Sequence, residues 1–407
     1  MSARRPLVVI LTAGMGAGHD QVGRELGARL DRRGVAAKLV DTSELLPPGW
    51  GSGLTGLYKF MACRAQWLYE LTFRAQMSSR ADTSASLLPL AWPASRRLAR
   101  LVERDKPRLL LSTFHLCSQV AGRMRASGEL EVPVASYVLD FFVHGMWSHS
   151  AVDAHLLLHP AQAPQLLAMG GRNPVVCGPV VRPAFRGMPR WARDAARGSL
   201  GLGPADRVVL VVAGSWGVGA VEQTVEAVSC AGRFLPVVVA GRNEPLRRSL
   251  VEGSKRRTGA RVFGWVDDMD RLVASADVVV ENAGGLTAME AMARGVPVVS
   301  YAPIAGHGRA NAREMERAGV SVYAHDARQL AEYLDEVTQA SALRRRLVAQ
   351  AGEMFSREPA DFVAQWAREG EVVPPASSGP RCIDVDAAGA PSHEGTELSG
   401  LVPVSGR

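Results

Sequence analysis

Two stretches bring together residue types that do chemistry at short spacing. The first, "LTAGMGAGHD" at residues 11–20, follows an apolar run with three glycines and then His19. Such a loop either holds a phosphate or presents the imidazole, which titrates near neutral pH and can take a proton from an attacking hydroxyl. The second, "ADVVVENAGGLTAMEAMARGVPVVSYAPIAGHGRANA" from residue 276, places Gly284, Gly285, Leu286 and Thr287 after an apolar run, with Glu290 one helical turn on. Glycines there let backbone approach a ligand, and the free N–H groups and macrodipole of a helix start favour an anion. A carboxylate at Glu290, on the same helical face as Thr287, can accept both hydroxyls of a ribose. His307 and Asn311 add polar groups on the loop after the next apolar run. Together these groups suit a nucleoside diphosphate. The plain alternative is a crossover whose glycines serve helix–sheet packing.

Asp140 ends the run "VPVASYVLD", where ligands of parallel sheets gather. It can orient His19, contact an acceptor hydroxyl or cap the following loop. His144 and His149 flank Trp147 in "FFVHGMWSH"; their spacing makes no convincing metal triad, and His144 and Trp147 read as lining for an acceptor. The "DDMD" of Asp267–Asp270 precedes a helical pattern and reads as an N-cap cluster, while Asp384 and Asp386 fall in the C-terminal tail. Neither acidic group calls for a metal, and no cofactor is expected.

These residues need a scaffold, and short β-branched runs alternating with helical patterns supply one. Five runs in the first half, from "PLVVILTA" to "NPVVCG", and five in the second, from "RVVLVVAG" to "VPVVSYA", are apolar almost throughout. That is the pattern of parallel strands buried on both faces. Ten strands exceed one comfortable open sheet, so an α/β chain with two doubly wound domains is expected. The halves echo each other: Ala13-Gly14 ends the first run of one and Ala213-Gly214 that of the other. The expected division is 1–185, 186–370 including the closing helices, and a Pro/Gly/Ser/Ala-rich disordered tail, 371–407, with the link near "GPVVRPAFRGMPRW". Residues 50–80 depart from the alternation, mixing Trp, Tyr, Phe and Leu with Lys59, Arg64 and Arg74. They read as a membrane-surface segment, an acceptor mouth or an ordinary helix pair.

No stretch approaches the roughly 18 to 20 apolar residues of a spanning helix. The N-terminal "RRPLVVILTAG" has no small-residue cleavage site and reads as a strand rather than a signal peptide. Five scattered cysteines without a CxxC pair argue against disulfides and zinc and for the cytoplasm. The net charge of +7 fits nucleic acid, an anionic membrane or a phosphorylated substrate alike.

The block "NAGGLTAMEAMARGVPVV…GHGRANA…AGV" resembles the donor-binding motif of GT-B glycosyltransferases. It is most similar to the branch of monogalactosyldiacylglycerol synthases, bacterial processive diacylglycerol glucosyltransferases and the peptidoglycan enzyme MurG. "TAGMGAGHDQV", "LDFFVHGMWSH" and "GPVVRPAF" resemble the lipid members of that branch, in colinear order from Leu7 to about residue 325. The resemblance implies two Rossmann-like domains facing across a cleft. It implies inverting transfer of a hexosyl group from a UDP-sugar to a lipid hydroxyl in glycolipid biosynthesis, by a cytoplasmic enzyme peripheral to the anionic inner face of the membrane. His19 falls on the family's general base, Glu290 on its ribose carboxylate, and Gly284, Gly285, Leu286 and Thr287 on its diphosphate loop. Trp265 and Val266 of "VFGWV" fall where uracil rests, and Gly214 and Ser215 of "AGSWGVG" face the donor. Gly16 and Gly18 then keep the acceptor-side rim low and present His19. Many relatives have Pro-Gly-Gln-Glu where this chain has Ala305-Gly306-His307-Gly308, and Glu281 stands where a basic residue is common. The hexose is therefore left open. A UDP-sugar epimerase or hydrolase, a polyprenyl-linked or secondary-metabolite acceptor, and a non-catalytic UDP-sugar sensor are the competing readings. The basic residues are scattered, which disfavours nucleic acid.

Overall fold

The computed structural model describes residues 5–14, 17–77, 88–187, 191–232 and 234–370. Gly16 and the tail 371–407 lie outside them, as do Asp384 and Asp386.

Near-continuous apolar runs become the strands of two parallel six-stranded sheets. The first holds β1 (Leu7–Thr12), β2 (Ala36–Asp41), β3 (Leu109–Ser112), β4 (Val134–Tyr137), β5 (Ala154–Leu157) and β6 (Pro174–Val176), in the order β2-β1-β3-β4-β5-β6. The second holds β7 (Val208–Val212), β8 (Leu235–Val239), β9 (Arg261–Phe263), β10 (Val278–Glu281), β11 (Val298–Tyr301) and β12 (Val322–Ala324), in the order β12-β11-β10-β7-β8-β9. Each central strand buries both faces. In β1, Val8 and Ile10 join one core while Val9 and Leu11 join another, as a period of two demands. In β7, Val208 and Leu210 face one way and Val209 and Val211 the other.

Ten strands answer the ten apolar runs. The edge strands β2 and β12 are additional. β2 carries Lys38 and is mostly half-buried, and β12 has three residues, so neither shows the continuous run of a central strand.

Strand order decides where a ligand can sit. The chain leaves β1 toward β2 and then returns to β3 on the other side; it leaves β7 toward β8 and returns to β10. Loops diverge at these two switch points and open a crevice beyond the strand ends. Leu11 pairs with Ser112, and Val212 with Glu281, so the loops that follow start level with each other.

The helices that matter are α1 (Ala17–Arg32), α2 (Trp50–Arg64), α3 (Gln66–Met77), α4 (Leu88–Asp105), α5 (His115–Ala126), α6 (Leu286–Arg294), α7 (His307–Arg317) and α8 (Pro359–Glu369). Residues 50–77 thus form a helix pair. The last helix, α8, returns to pack on α1. There the buried Arg29 pairs with Glu25 of α1 and Glu358 beside α8, each at 2.7 Å. Removing one partner would leave a charge uncompensated in the interior.

Candidate active site

Both switch points open onto one cavity of about 600 Å³, within the size range of ligand sites. From the first half it is lined by Gly18, His19, Phe114, His115, Asp140 and His144. From the second come Gly214, Ser215, Trp216, Asn282, Gly285, Leu286 and His307. Leu54, Leu57, Tyr58, Met61 and Phe73 of α2 and α3 give it an apolar side.

The loop after β1 delivers His19. The Gly14 N–H donates to the Asp41 carboxylate at 2.6 Å, so this amide is already satisfied within the first half. Three residues into α1, the His19 Nδ1 lies 2.7 Å from the Thr113 carbonyl. A carbonyl only accepts, so Nδ1 carries the proton and Nε2 is the basic nitrogen. The backbone bond at Nδ1 thus leaves Nε2 to face the cavity that His19 lines. Burial pushes its pKa below the ordinary imidazole value, while the charge of Asp140 and the Thr113 bond pull upward. The imidazole is therefore neutral at pH 7 and able to accept a proton.

Asp140 makes no hydrogen bond to His19. Its carboxylate accepts from Trp147 Nε1 at 2.8 Å and Asn311 Nδ2 at 3.2 Å, with His144 Nε2 3.5 Å away. Burial works against its charge. The His144 contact and charge, His307 and the Trp147 N–H outweigh that and hold the carboxyl well below the usual range. Asp140 acts on His19 through its field, and Trp147, fully buried, fixes Asp140 rather than lining the cavity. His115, which the sequence reading missed, packs tilted against Phe114, ring centroids 4.5 Å apart, and edge-on to His144 at 5.5 Å. Burial and the neighbouring imidazoles of His144 and His19 push its pKa well down.

On the other side, α6 starts at Leu286 with Gly285 as N-cap, which puts Thr287 in its first turn as expected. A Cβ on Gly18 would lie 3.6 Å from that of Leu286, so the first turns of α1 and α6 face each other closely. Gly284 behaves otherwise than expected. Its N–H and that of Ala283 donate to the buried carboxylate of Glu281, which also accepts from Ser300 at 2.6 Å. The amides left for an anion are those of the first turn of α6, at Gly285, Leu286 and Thr287. Gly284 is needed instead for shape. Its φ is 68°, and a side chain would meet the Asn311 Cβ at 2.4 Å.

Glu290 is buried one turn into α6, and its Oε1 accepts from Gln21 Nε2 of α1 at 2.8 Å. Burial raises its pKa to about 7, against the opposing Gln21 bond and Arg182 charge. Asn311, expected to touch the donor, is fully buried and committed elsewhere. It accepts from the Phe142 N–H and donates to Asp140 and to Ala283 O, tying the halves together behind the cavity. His307 opens α7 and lines the cavity, with burial lowering its pKa. Gly214 and Ser215 line it too, beside Trp216, whose ring meets Tyr58 of α2 at 5.7 Å. Trp265 and Val266 stand outside the cavity lining. The Trp265 ring lies under the Arg242 guanidinium, and its N–H donates to Asp267 at 2.9 Å.

The "DDMD" cluster does not cap the helix Met269–Ser275. Asp268 occupies the N-cap position without a side-chain bond, while Asp270 lies 3.7 Å from Arg182 and Asp268 3.6 Å from Arg271. Competing cations thus take these carboxylates.

The monogalactosyldiacylglycerol synthase family model matches residues 19–181, and that of glycosyl transferases group 1 matches residues 203–354. A processive diacylglycerol beta-glucosyltransferase of Bacillus thuringiensis (strain Al Hakam) is 26% identical over 383 residues, covering 91% of this chain and 96% of its own. One from Bacillus cereus (strain AH187) is 26% identical over 371 residues, 88% of this chain and 92% of its own. Among solved structures, Anabaena HepE in complex with UDP-glucose superposes with a TM-score of 0.53 at 15% identity, covering 89% of this chain and 98% of that one. MurG of Acinetobacter baumannii gives 0.57 at 15%, covering 89% and 99%. Two doubly wound sheets with one cavity at both switch points, read with these likenesses, give the chain the GT-B fold of a glycosyltransferase, its first half similar to monogalactosyldiacylglycerol synthases and its second to glycosyl transferases group 1.

Proposed function

We propose that this enzyme transfers a hexosyl group from a UDP-sugar, with inversion, to the hydroxyl of a diacylglycerol-like lipid at a membrane surface. The observation that carries the reading is the cavity itself. It sets a neutral imidazole with a basic Nε2 opposite a helix N-terminus and closes the third side with apolar residues.

The donor's diphosphate rests at the first turn of α6, and its ribose takes the place of Gln21 at Glu290. The acceptor hydroxyl attacks the anomeric carbon while His19 Nε2 takes its proton; the bond to the diphosphate breaks on the opposite face, which inverts the centre. Charge grows on the departing UDP, and the dipole of α6 stabilises it without a metal cofactor. As His19 becomes an imidazolium, the ionised Asp140 offsets the new charge in a low-dielectric site.

The acceptor route follows from α2–α4. Trp50, Leu57 and Phe60 on α2, Trp67 and Leu71 on α3 and Trp92 on α4 are exposed, Trp67 by 72%. Leu57 is 53% exposed and also lines the cavity, so it joins this exposed apolar surface to the interior. Arg96 stacks over Trp92 at 4.2 Å, adding a cation where anionic headgroups would lie. No helix among the described residues is long and apolar enough to cross a membrane. The enzyme works as a peripheral protein on the cytoplasmic face.

The test is incubation of the full chain with labelled UDP-glucose, UDP-galactose and UDP-N-acetylglucosamine and vesicles of phosphatidylglycerol with diacylglycerol. A glycolipid and an equal amount of UDP are expected. If no donor is consumed with any lipid acceptor, the reading fails.

A further inference from the structure

Helix α3 has two sides with different contacts. Trp67 and Leu71, one turn apart, face outward, while Phe73 lines the cavity, its ring 6.4 Å from that of His307. Between them Glu70, 22% exposed at its side chain, reaches the other half of the molecule. Its Oε2 accepts the Gly306 N–H at 2.7 Å, and its Oε1 lies 3.9 Å from Arg309 of α7. Arg74, one turn along α3, holds the same carboxylate at 2.9 Å.

Gly306 is the N-cap of α7, with φ 72° and ψ −117°, a backbone shape that only glycine adopts readily. The next residue is His307. The loop that delivers it is pinned at two points: Ile304 N–H donates to Asn282 O at 2.8 Å within the second half, and Gly306 N–H donates to Glu70 from the first. Ile304, Ala305 and His307 all line the cavity on the donor side.

We infer that Glu70 is a positioning residue for the donor's sugar: it holds the Ile304–His307 loop in place and links that placement to the seat of α3 on a lipid surface. The inference rests on the membrane-transferase reading above. A carboxylate at a helix N-cap N–H makes a charge-assisted bond, stronger than a neutral one and sensitive to small shifts of either element. Glu290 and the first turn of α6, proposed above for the ribose and diphosphate, lie on another element, so nucleotide affinity should be indifferent to Glu70 while hexose recognition is not.

The experiment is calorimetry of UDP and of UDP-glucose binding to the full chain, with and without phosphatidylglycerol–diacylglycerol vesicles, for wild type, Glu70→Ala and Glu70→Gln. UDP-glucose affinity of Glu70→Ala should fall by roughly tenfold, about one charge-assisted hydrogen bond, with UDP affinity unchanged. Glu70→Gln should recover most of it, because the amide oxygen still accepts from Gly306. Vesicles should strengthen UDP-glucose binding in wild type and not in Glu70→Ala. An unaltered ratio of UDP-glucose to UDP affinity in Glu70→Ala, an equal loss of both, or a wild-type ratio that vesicles leave unchanged overturns the inference. A wild type that binds neither ligand overturns the underlying functional reading instead.

Discussion

The glycine-rich turns after β1 and after β10 are built alike and do different work. Each leaves a central strand at a switch point, spends its first amides on a carboxylate, and enters a helix facing the other half. After β1, Asp41 at the end of the neighbouring strand takes the Gly14 N–H, and the helix presents a side chain, His19. After β10, Glu281 at the end of the same strand takes the Ala283 and Gly284 N–H groups, and the helix presents its bare N-terminus. Glycines after a strand thus do not by themselves mark a phosphate site; the residue at the helix start decides what the turn offers.

The comparison breaks most visibly at His19. His19→Ala should lower transfer by about 10²–10⁴-fold, the usual worth of a general base, and leave UDP affinity in calorimetry unchanged. A matching loss of UDP affinity would make the first turn a phosphate cradle after all. Gly284→Ala attacks the second turn. With φ at 68° and the Asn311 Cβ 2.4 Å from the added methyl, it should cost about 1–3 kcal/mol in denaturant unfolding and weaken UDP binding.

Glu290→Gln comes next, with UDP affinity reduced by about tenfold. Its pH behaviour sharpens the assignment. The folded carboxyl is raised from 4.5 to about 7 by burial, so between those values the folded chain binds more protons than the unfolded one. The stability this contributes is full below 4.5 and lost as the pH climbs through about 7. Glu290→Gln should flatten that decline in thermal unfolding. UDP affinity of the wild type should move the opposite way, rising with pH as the ionised acceptor forms. A pH-independent affinity would remove Glu290 from the ribose. The smallest effect belongs to Gly14→Ala. An added Cβ would meet only the Asp41 carboxylate, at 3.2 Å, the movable end of a side chain. A loss below ~1 kcal/mol and unchanged UDP affinity are expected, and a larger effect on UDP than Gly284→Ala produces would reverse the contrast.

Much of this was legible in the residues. Central strands announce themselves because both faces are buried and their runs are apolar throughout, as in "VVLVV" of β7. β2 and β12 did not: Lys38 interrupts β2, which is mostly half-buried, and β12 is only three residues long after the polar Ser321. Asn311 was read as a donor contact because a polar residue beside a glycine loop looks available; only packing shows its amide spent on Phe142, Asp140 and Ala283. Gln21 and Glu70 carried no local signal. Their partners, Glu290 and Gly306, are 269 and 236 residues away in the chain.

The sequence by itself determined the two doubly wound halves, the helix whose first turn holds Thr287 and the imidazole at His19, because each rests on periodicity or on a residue type within one turn. Only the tertiary structure decided the tautomer of His19, the ionised state of Asp140, the raised pKa of Glu290 and the tie from α3 to the donor loop. Those properties depend on burial and on hydrogen bonds between segments distant in sequence, which exist only once the two halves have closed on a single cavity.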